Sequence, residues 1–273
     1  MANADPDSVL TDTSRPGITI LTIHRPHRKN ALDPLTAKRL YEAILAFEAD
    51  ATQKVCILTG TETFCAGADL HQVAQAKDDT PGENLRPVQG RNLGPMGPSR
   101  LVIKKPVIAA VAGYAVAGGL ELSLLADLRV VEEDAVFGVF CRRWGVPLID
   151  GGTVRLQAIV GLSRALDMIL TGRPVGAQEA LTMGLANRVV PKGDSLKQAL
   201  ELAQQLIAFP ELCLNTDRQS CYYSAYDASS FHDAMSREFQ AGSKVISAEA
   251  IAGAAKFSRG SGRHGSFKDS SKL

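Results

Sequence analysis

Two glycine-rich segments are the parts of this chain best suited to chemistry, because small residues let backbone N–H groups approach a ligand closely. They are Phe64-Cys-Ala-Gly-Ala-Asp-Leu70 and Ala112-Gly-Tyr-Ala-Val-Ala-Gly-Gly-Leu-Glu-Leu122. Each follows an apolar, strand-like stretch, and the second runs into a predicted helix whose N-terminus adds partial positive charge. Two such N–H groups converging on one point would bind a developing oxyanion. Taken singly, each segment is better explained by tight packing of small residues at a strand end.

The same segments do not match the glycine-rich motifs that bind nucleotides. Neither segment matches G-x-G-x-x-G, the first strand-like stretch is followed by Arg25-Pro-His-Arg28 instead of glycines, and the chain has no Walker A sequence. Of the ligand sites that glycine-rich loops build, an anion hole is the one that remains.

Composition excludes several other classes of function. The chain has 273 residues, 45% of them hydrophobic, which is enough for one large domain with a full core. A net charge of +1 and an aromatic content of 5% argue against a nucleic-acid partner. The longest apolar stretch, residues 106–117, is too short to span a bilayer, and residues 1–7 lack the apolar core of a signal peptide. Five widely spaced cysteines predict free thiols, and five histidines without ligand spacing predict no metal site.

The elements that must position the glycine-rich segments alternate between strand and helix. Apolar, β-branched runs predict strands over 18–23, 54–60, 106–112, 127–131 and 135–139. Helices are predicted over 34–50, with Asp33 as the N-cap before Pro34, and over 119–125. From Ser195 onward the pattern turns helical, and residues 77–99 form a long loop, either functional or disordered. The order indicates an α/β fold with mostly parallel strands.

Five motifs, taken in order, resemble the enoyl-CoA hydratase/isomerase (crotonase) family over roughly residues 10–210. Besides the two segments, with Lys105-Pro preceding the second, they are Arg25-Pro-His-Arg-Lys-Asn-Ala-Leu32, Gly151-Gly-Thr153 and Leu170-Thr-Gly-Arg-Pro through Met-Gly-Leu185. The resemblance implies an α/β crotonase-like spiral of β-β-α units with a helical C-terminal region. Together with the helical pattern after about residue 200 and the Gly/Ser-rich, basic composition of the last residues, it divides the chain into a core over 1–200, a helical oligomerisation region over 201–257 and a flexible tail over 258–273. It also implies a homotrimer or homohexamer.

The resemblance also implies the site. The thioester carbonyl of an acyl-CoA substrate would be held by the N–H groups of Ala68 and Gly118. The surrounding thioester site falls on Ala66, Gly67, Ala68, Asp69, Leu70 and Gly118. Glu121 matches the acid/base glutamate of the family, against the alternative of a surface carboxylate near a helix N-terminus. Coenzyme A would arrive as part of the substrate, so no separate cofactor is expected.

The chain departs from the hydratase pattern at the second glutamate, which the family carries about 20 residues later. Cys141 stands there, more readily explained as a small packed residue than as a proton carrier. Asp150, three residues before Thr153, resembles the functional aspartate of dienoyl-CoA isomerases and 4-chlorobenzoyl-CoA dehalogenases. We expect it to be either a second acid, kept protonated near neutral pH by burial and by the Glu121 charge, or the N-cap of the next helix.

These residues support several reactions. The one expected is hydratase-type addition or removal of water across the 2,3 double bond through an oxyanion-stabilised enolate. The alternatives are an enoyl-CoA or dienoyl-CoA isomerase, an acyl-CoA hydrolase and a non-catalytic acyl-CoA-binding protein.

The final residues, Ser271-Lys-Leu273, match the peroxisomal address that an import receptor reads. They follow a Gly/Ser-rich, basic stretch that would keep them accessible. The sequence therefore predicts a peroxisomal enzyme with that receptor as a partner.

Overall fold

A computed structural model describes residues 7–74 and 85–259. Within these residues the strands are β1 Val9–Arg15, β2 Ile18–Ile23, β3 Val55–Gly60, β4 Val107–Val111, β5 Tyr114–Val116, β6 Leu128–Glu132, β7 Val136–Gly138, β8 Val175–Gly176 and β9 Arg188–Val190. The helices are α1 Pro34–Ala49, α2 Leu70–Val73, α3 Gly118–Leu125, α4 Gly152–Val160, α5 Leu162–Thr171, α6 Ala177–Thr182, α7 Ser195–Ile207, α8 Glu211–Tyr226, α9 Phe231–Val245 and α10 Ile251–Ser258. None of these helices is long and apolar enough to cross a membrane.

Two sheets form the α/β core. The larger has the order β1-β2-β3-β4-β6-β9, and only the β1–β2 pair is antiparallel. The smaller has the order β5-β7-β8, with β5 and β7 parallel. Strands β2, β3 and β4 are almost wholly buried, as expected for apolar runs in a parallel sheet that is covered on both faces.

The five predicted strands and both early helices are confirmed to within one residue at each end. Asp33 caps α1 as expected, since its side chain accepts a hydrogen bond of 2.7 Å from the N–H of Thr36. The sequence did not predict β1, β5, β8 or β9. The first of these is an exposed edge strand without an apolar run, and the others have only two or three residues.

The chain forms two compact units, residues 1–203 and 204–273. The first contains both sheets and the buried core. The second contains α8, α9 and α10 among its described residues, and the Tyr223 hydroxyl donates to the Asp233 carboxylate within it. The predicted domain limits, 1–200, 201–257 and 258–273, stay predictions, and residues 260–273 lie outside the described residues.

Arg25 anchors the first glycine-rich segment to the rest of the core. Its buried guanidinium pairs with Asp69 at 3.2 Å and with Asp33 at 3.0 Å, and also donates to the Ala31 carbonyl. Asp69 belongs to the glycine-rich segment and Asp33 begins α1, so one cation joins the two. Buried ion pairs of this kind are costly to break, because a carboxylate is left unpaired in a region of low dielectric.

We therefore expect Arg25→Met to lower the free energy of unfolding by about 3–5 kcal/mol. The matched control is Arg15→Met. Arg15 pairs with Asp12 at 3.0 Å, but both side chains are 47% exposed, so its loss should leave the urea midpoint almost unchanged. Equal urea midpoints for the two variants would show that Arg25 does not anchor the segment.

Candidate active site

The two glycine-rich segments lie side by side. The N–H of Cys65 donates to the Tyr114 carbonyl at 2.8 Å, and the N–H of Val116 donates to the Cys65 carbonyl at 3.1 Å. Where the second segment enters α3, a Cβ added at Gly119 would collide with the Cys65 carbonyl. Close backbone approach, which the sequence offered as one explanation of these small residues, is thus what joins the segments.

The amides of Ala68 and Gly118 are both free in the described part of the chain. Neither N–H donates a hydrogen bond there, and that of Gly118 opens α3, where a helix leaves its first amides unpaired. Gly67, at φ +103°, lies so close to the second segment that a Cβ on it would be 3.0 Å from the Gly118 nitrogen. The structure brings the two segments together as an oxyanion hole requires.

Ala117 holds a strained backbone at the entry to α3. Its φ of 54° and ψ of −125° are favourable for glycine but not for a residue with a Cβ, and such strain costs about 1–3 kcal/mol. The conformation sets the direction of the Gly118 amide that follows. Strained backbone of this kind is concentrated at functional sites in proteins.

The other predicted thioester-site residues have different environments. The N–H of Ala66 donates a hydrogen bond to the Lys29 carbonyl at 3.0 Å. The Asp69 side chain is buried, paired with Arg25 and capping α2 through the N–H of His71 at 3.2 Å. Leu70 is 39% exposed. The Asp69 carboxylate therefore holds the segment in place, and the N–H of Ala68 is the part of its main chain that stays available to a ligand among the described residues.

Glu121 is buried, 2% exposed, which excludes the surface-carboxylate alternative. Its Oε1 accepts hydrogen bonds from the N–H groups of Asp150 at 2.9 Å and Gly152 at 2.8 Å. Burial first, and then the charge of Asp150, raise the pKa of Glu121 to about 7. A carboxyl group with that pKa can both give and take a proton near neutral pH.

Asp150 lies beside Glu121 and does not cap α4. The N-cap of that helix is Gly151, without a side-chain hydrogen bond, so the capping alternative is wrong. The Asp150 Oδ1 instead accepts from the Met96 N–H at 2.9 Å and from the Ser99 hydroxyl. Burial raises the pKa of Asp150, while these two hydrogen bonds oppose the rise by favouring the charged form.

Each carboxyl group has one anchored and one free oxygen. Within the described residues, the Oε2 of Glu121 and the Oδ2 of Asp150 have no hydrogen-bond partner, and neither is among the fully occluded polar atoms that lack one. Among the described residues, no protein donor therefore competes with water or a substrate for these two oxygens.

Met96 and Ser99 were missed by sequence reasoning, although they join the parts of the site. The Met96 sulfur packs on Gly118, since a Cβ there would lie 2.6 Å from it, and the Met96 amide binds Asp150. Both residues belong to the long loop predicted as functional or disordered. Its glycines and prolines were the only signal, and they do not say which side chains turn inward.

Cys141 occupies a buried position near Glu121. Burial, and then the Glu121 charge, raise the pKa of its thiol, so the thiol stays protonated. This environment agrees with the interpretation of Cys141 as a packed residue. Among the described residues, no group of three histidine, cysteine, aspartate or glutamate side chains is arranged to hold a metal ion.

The raised pKa of Glu121 predicts how stability varies with pH. The folded state binds this proton more tightly than the unfolded state, whose pKa is near 4.5, so stability should fall as pH rises from about 4.5 to about 7. The Glu121 contribution to this fall is up to about 3 kcal/mol. Glu121→Gln should remove it and make the variant more stable than the wild type at pH 8. Urea unfolding at several pH values measures how the free energy of unfolding of the wild type and of Glu121→Gln changes with pH. Equal slopes for the two proteins would show that burial does not raise the pKa of Glu121.

Comparison with known proteins identifies the family of the chain. A profile of the Enoyl-CoA hydratase/isomerase family matches residues 13–248. The "Enoyl-CoA hydratase EchA19" of Mycobacterium tuberculosis is 38% identical over 197 residues, which are 69% of this chain and 71% of the relative. The "Carnitinyl-CoA dehydratase" of Escherichia coli K12 is 38% identical over 201 residues, 71% and 73% of the two chains.

Solved structures agree over more of the chain. The enoyl-CoA hydratase EchA1 of Mycobacterium marinum superposes with a TM-score of 0.83 at 31% identity, covering 92% of this chain and 96% of that one. An enoyl-CoA hydratase of Mycobacterium tuberculosis gives the same TM-score and coverage at 33% identity. With this fold and these matched residues, the chain belongs to the enoyl-CoA hydratase/isomerase family and has the crotonase fold.

Proposed function

We propose that the protein is a hydratase-type lyase that adds or removes water across the 2,3 double bond of an acyl-CoA thioester. The observation that carries this proposal is the Glu121–Asp150 pair. It gives two buried carboxyl groups, each with one fixed oxygen and one without a hydrogen-bond partner among the described residues. Glu121 belongs to the segment that holds the Gly118 amide, and that segment lies against the one that holds the Ala68 amide. Hydration needs these parts: one proton acceptor for water, one proton donor for carbon, and donors for the oxyanion.

In the hydration direction, the Ala68 and Gly118 N–H groups hold the thioester oxygen. Asp150 takes a proton from water as the water oxygen bonds to C3. The C2–C3 π electrons move toward the thioester, so that C2 bonds doubly to the carbonyl carbon and an enolate oxygen forms. Glu121 then delivers its proton to C2 as the carbonyl reforms. The product is a 3-hydroxyacyl-CoA, and transfer of the proton from Asp150 back to Glu121 restores the enzyme.

This assignment of roles follows from the hydrogen bonds and charges. Asp150 receives a hydroxyl and an amide donor and lies near the cations of Arg100 and Arg155, all of which favour its ionised form. Glu121 has a pKa of about 7, raised in part by the charge of Asp150. We therefore assign the ionised role to Asp150 and the protonated role to Glu121, whereas the sequence alone suggested that Asp150 holds the proton.

A double-bond isomerase is the second candidate, because the same pair can move a proton from one carbon of the acyl chain to another. The retained Glu121 and the protonated Cys141 thiol support it, since an isomerase can work without the second hydratase glutamate. The names of the relatives above, a hydratase and a dehydratase, support the lyase. An acyl-CoA hydrolase or a protein that only binds acyl-CoA remains as an outcome of the test.

The test is incubation of the purified protein with crotonyl-CoA, a 3-enoyl-CoA and a 3-hydroxyacyl-CoA, followed by mass spectrometry. A gain of 18 Da from crotonyl-CoA and a loss of 18 Da from the hydroxyacyl-CoA are expected. Conversion of the 3-enoyl-CoA to its 2-enoyl isomer without a mass change would establish the isomerase. Release of free coenzyme A would establish the hydrolase.

The Asp150→Asn variant tests the role of Asp150 in proton transfer separately from its role in the hydrogen bonds of the folded protein. Asparagine keeps an oxygen that accepts from Met96 and Ser99, but it cannot take a proton from water. We expect turnover to fall by a factor of at least about a hundred while the urea midpoint stays close to that of the wild type. Retained turnover would remove Asp150 from the mechanism.

We also propose an oligomeric state and a cellular location for the protein. Phe231, Met235 and Phe239 follow each other at helical spacing on α9 and are 82%, 45% and 74% exposed, which supports burial against further copies in a trimer or hexamer. The peroxisomal location rests on Ser271-Lys-Leu273 alone. That tripeptide lies outside the described residues, and the relatives named above are bacterial.

A further inference from the structure

Three features of the loop before β4 converge on a single oxygen of Asp150. The Ser99 hydroxyl and the Met96 N–H both donate to Oδ1. A Cβ at Gly94 would lie 3.1 Å from the same oxygen and would collide with the Ser99 hydroxyl, so the loop needs a glycine there. Ser99 is 1% exposed and is held in a 3-10 turn, Pro98–Arg100, which fixes where its side chain points.

Both donors bind the same oxygen of Asp150, although hydrogen bonding could be satisfied by either oxygen. A carboxylate can accept donors on either oxygen. Here both donors meet one oxygen, and the plane of the group is fixed, with Oδ2 left unbonded among the described residues. If the Ser99 hydroxyl were lost, the Met96 amide alone would hold Oδ1, and the side chain would be free to rotate about its terminal torsion.

We propose that Ser99 is a positioning residue, whose hydroxyl holds Oδ1 of Asp150 so that Oδ2 faces the water and the substrate. Its contribution to the rate rests on the proposed function, in which Asp150 takes a proton from water. Ser99 acts on the reaction only through Asp150.

The charges that act on Asp150 come from three elements. Glu121 on α3 bonds the Asp150 amide, Arg155 on α4 donates to the Asp150 carbonyl at 3.2 Å, and Arg100 is the neighbour of Ser99 in the 3-10 turn. Both arginines favour the ionised carboxylate. The Ser99 hydroxyl acts in the same direction through a hydrogen bond to the charged form.

The expected consequence of Ser99→Ala is a higher pKa for Asp150, by about one pH unit, because a hydrogen bond to a charged group is lost. Since the ionised form of Asp150 is the active one, the acidic limb of the kcat/KM profile should move to higher pH by the same amount. Below the wild-type pKa of Asp150 the rate should fall by up to about tenfold, and the difference should shrink as the pH rises above that pKa.

Ser195→Ala is the matched control. Ser195 is also buried, and its hydroxyl donates to the buried Glu132 carboxylate at 2.8 Å, away from the candidate site. Both substitutions remove a buried serine-to-carboxylate hydrogen bond, so both should lower the urea midpoint. Only Ser99→Ala should shift the pH profile.

A second readout does not depend on activity. With ¹³C at the aspartate carboxyl groups, the Asp150 signal is found by its absence in Asp150→Asn and titrated in the wild type and in Ser99→Ala. A higher pKa in Ser99→Ala supports the proposal even if no enoyl-CoA is hydrated, in which case the proposed function fails alone. An unchanged Asp150 pKa, or an unmoved acidic limb in an active enzyme, would overturn it.

Discussion

The contact on which the site depends is the buried carboxylate of Glu121, held by the backbone amides of Asp150 and Gly152. It joins α3, which carries the Gly118 amide at its start, to the first residue of α4. The contact leaves no room for a side chain at Gly152, where a Cβ would lie 2.8 Å from the Glu121 oxygen. Because Asp150 donates its own amide to Glu121, the position of the second carboxyl group follows from that of the first.

Burying two neighbouring carboxyl groups is unfavourable, and the structure offsets that cost with polar donors. Two amides serve Glu121, and an amide and a hydroxyl serve Asp150. The remaining penalty appears as raised pKa values for both groups, reaching about 7 for Glu121. The strained backbone of Ala117, beside the Gly118 amide, adds to the same cost. Such a concentration of unfavourable terms in one place is typical of a site that is maintained for chemistry.

The sequence predicted the parts whose contacts are local. Strands β2, β3 and β4 are continuous apolar runs, and Asp33 before Pro34 is a local capping signal, so each was found within a residue. The glycine-rich segments and Glu121 were found because motifs carry them, and their close approach follows from parallel pairing of Cys65 with Ala115. Strand β5 was missed because three residues carry too little periodicity.

The contacts of Asp150 could not be predicted, because its donors lie 51 and 54 residues away in a loop without periodicity. From the sequence, an aspartate before two glycines was consistent both with a helix cap and with a buried acid. The choice between them is made by the tertiary position of Met96 and Ser99. No local rule links a residue in the loop before β4 to a residue before α4.

In the proposed function, the amides of Ala68 and Gly118 polarise a thioester carbonyl beside the carboxyl pair. The most direct measurement is isotope-edited infrared or Raman difference spectroscopy of butyryl-CoA labelled with ¹³C at the thioester carbonyl, which has no double bond to hydrate. Two hydrogen bonds to the oxygen weaken the C=O bond, so the stretching frequency should be lower in the bound ligand than in solution. A bound thioester whose carbonyl frequency matches that in water, or lies above it, would show that the Ala68 and Gly118 amides do not polarise the carbonyl.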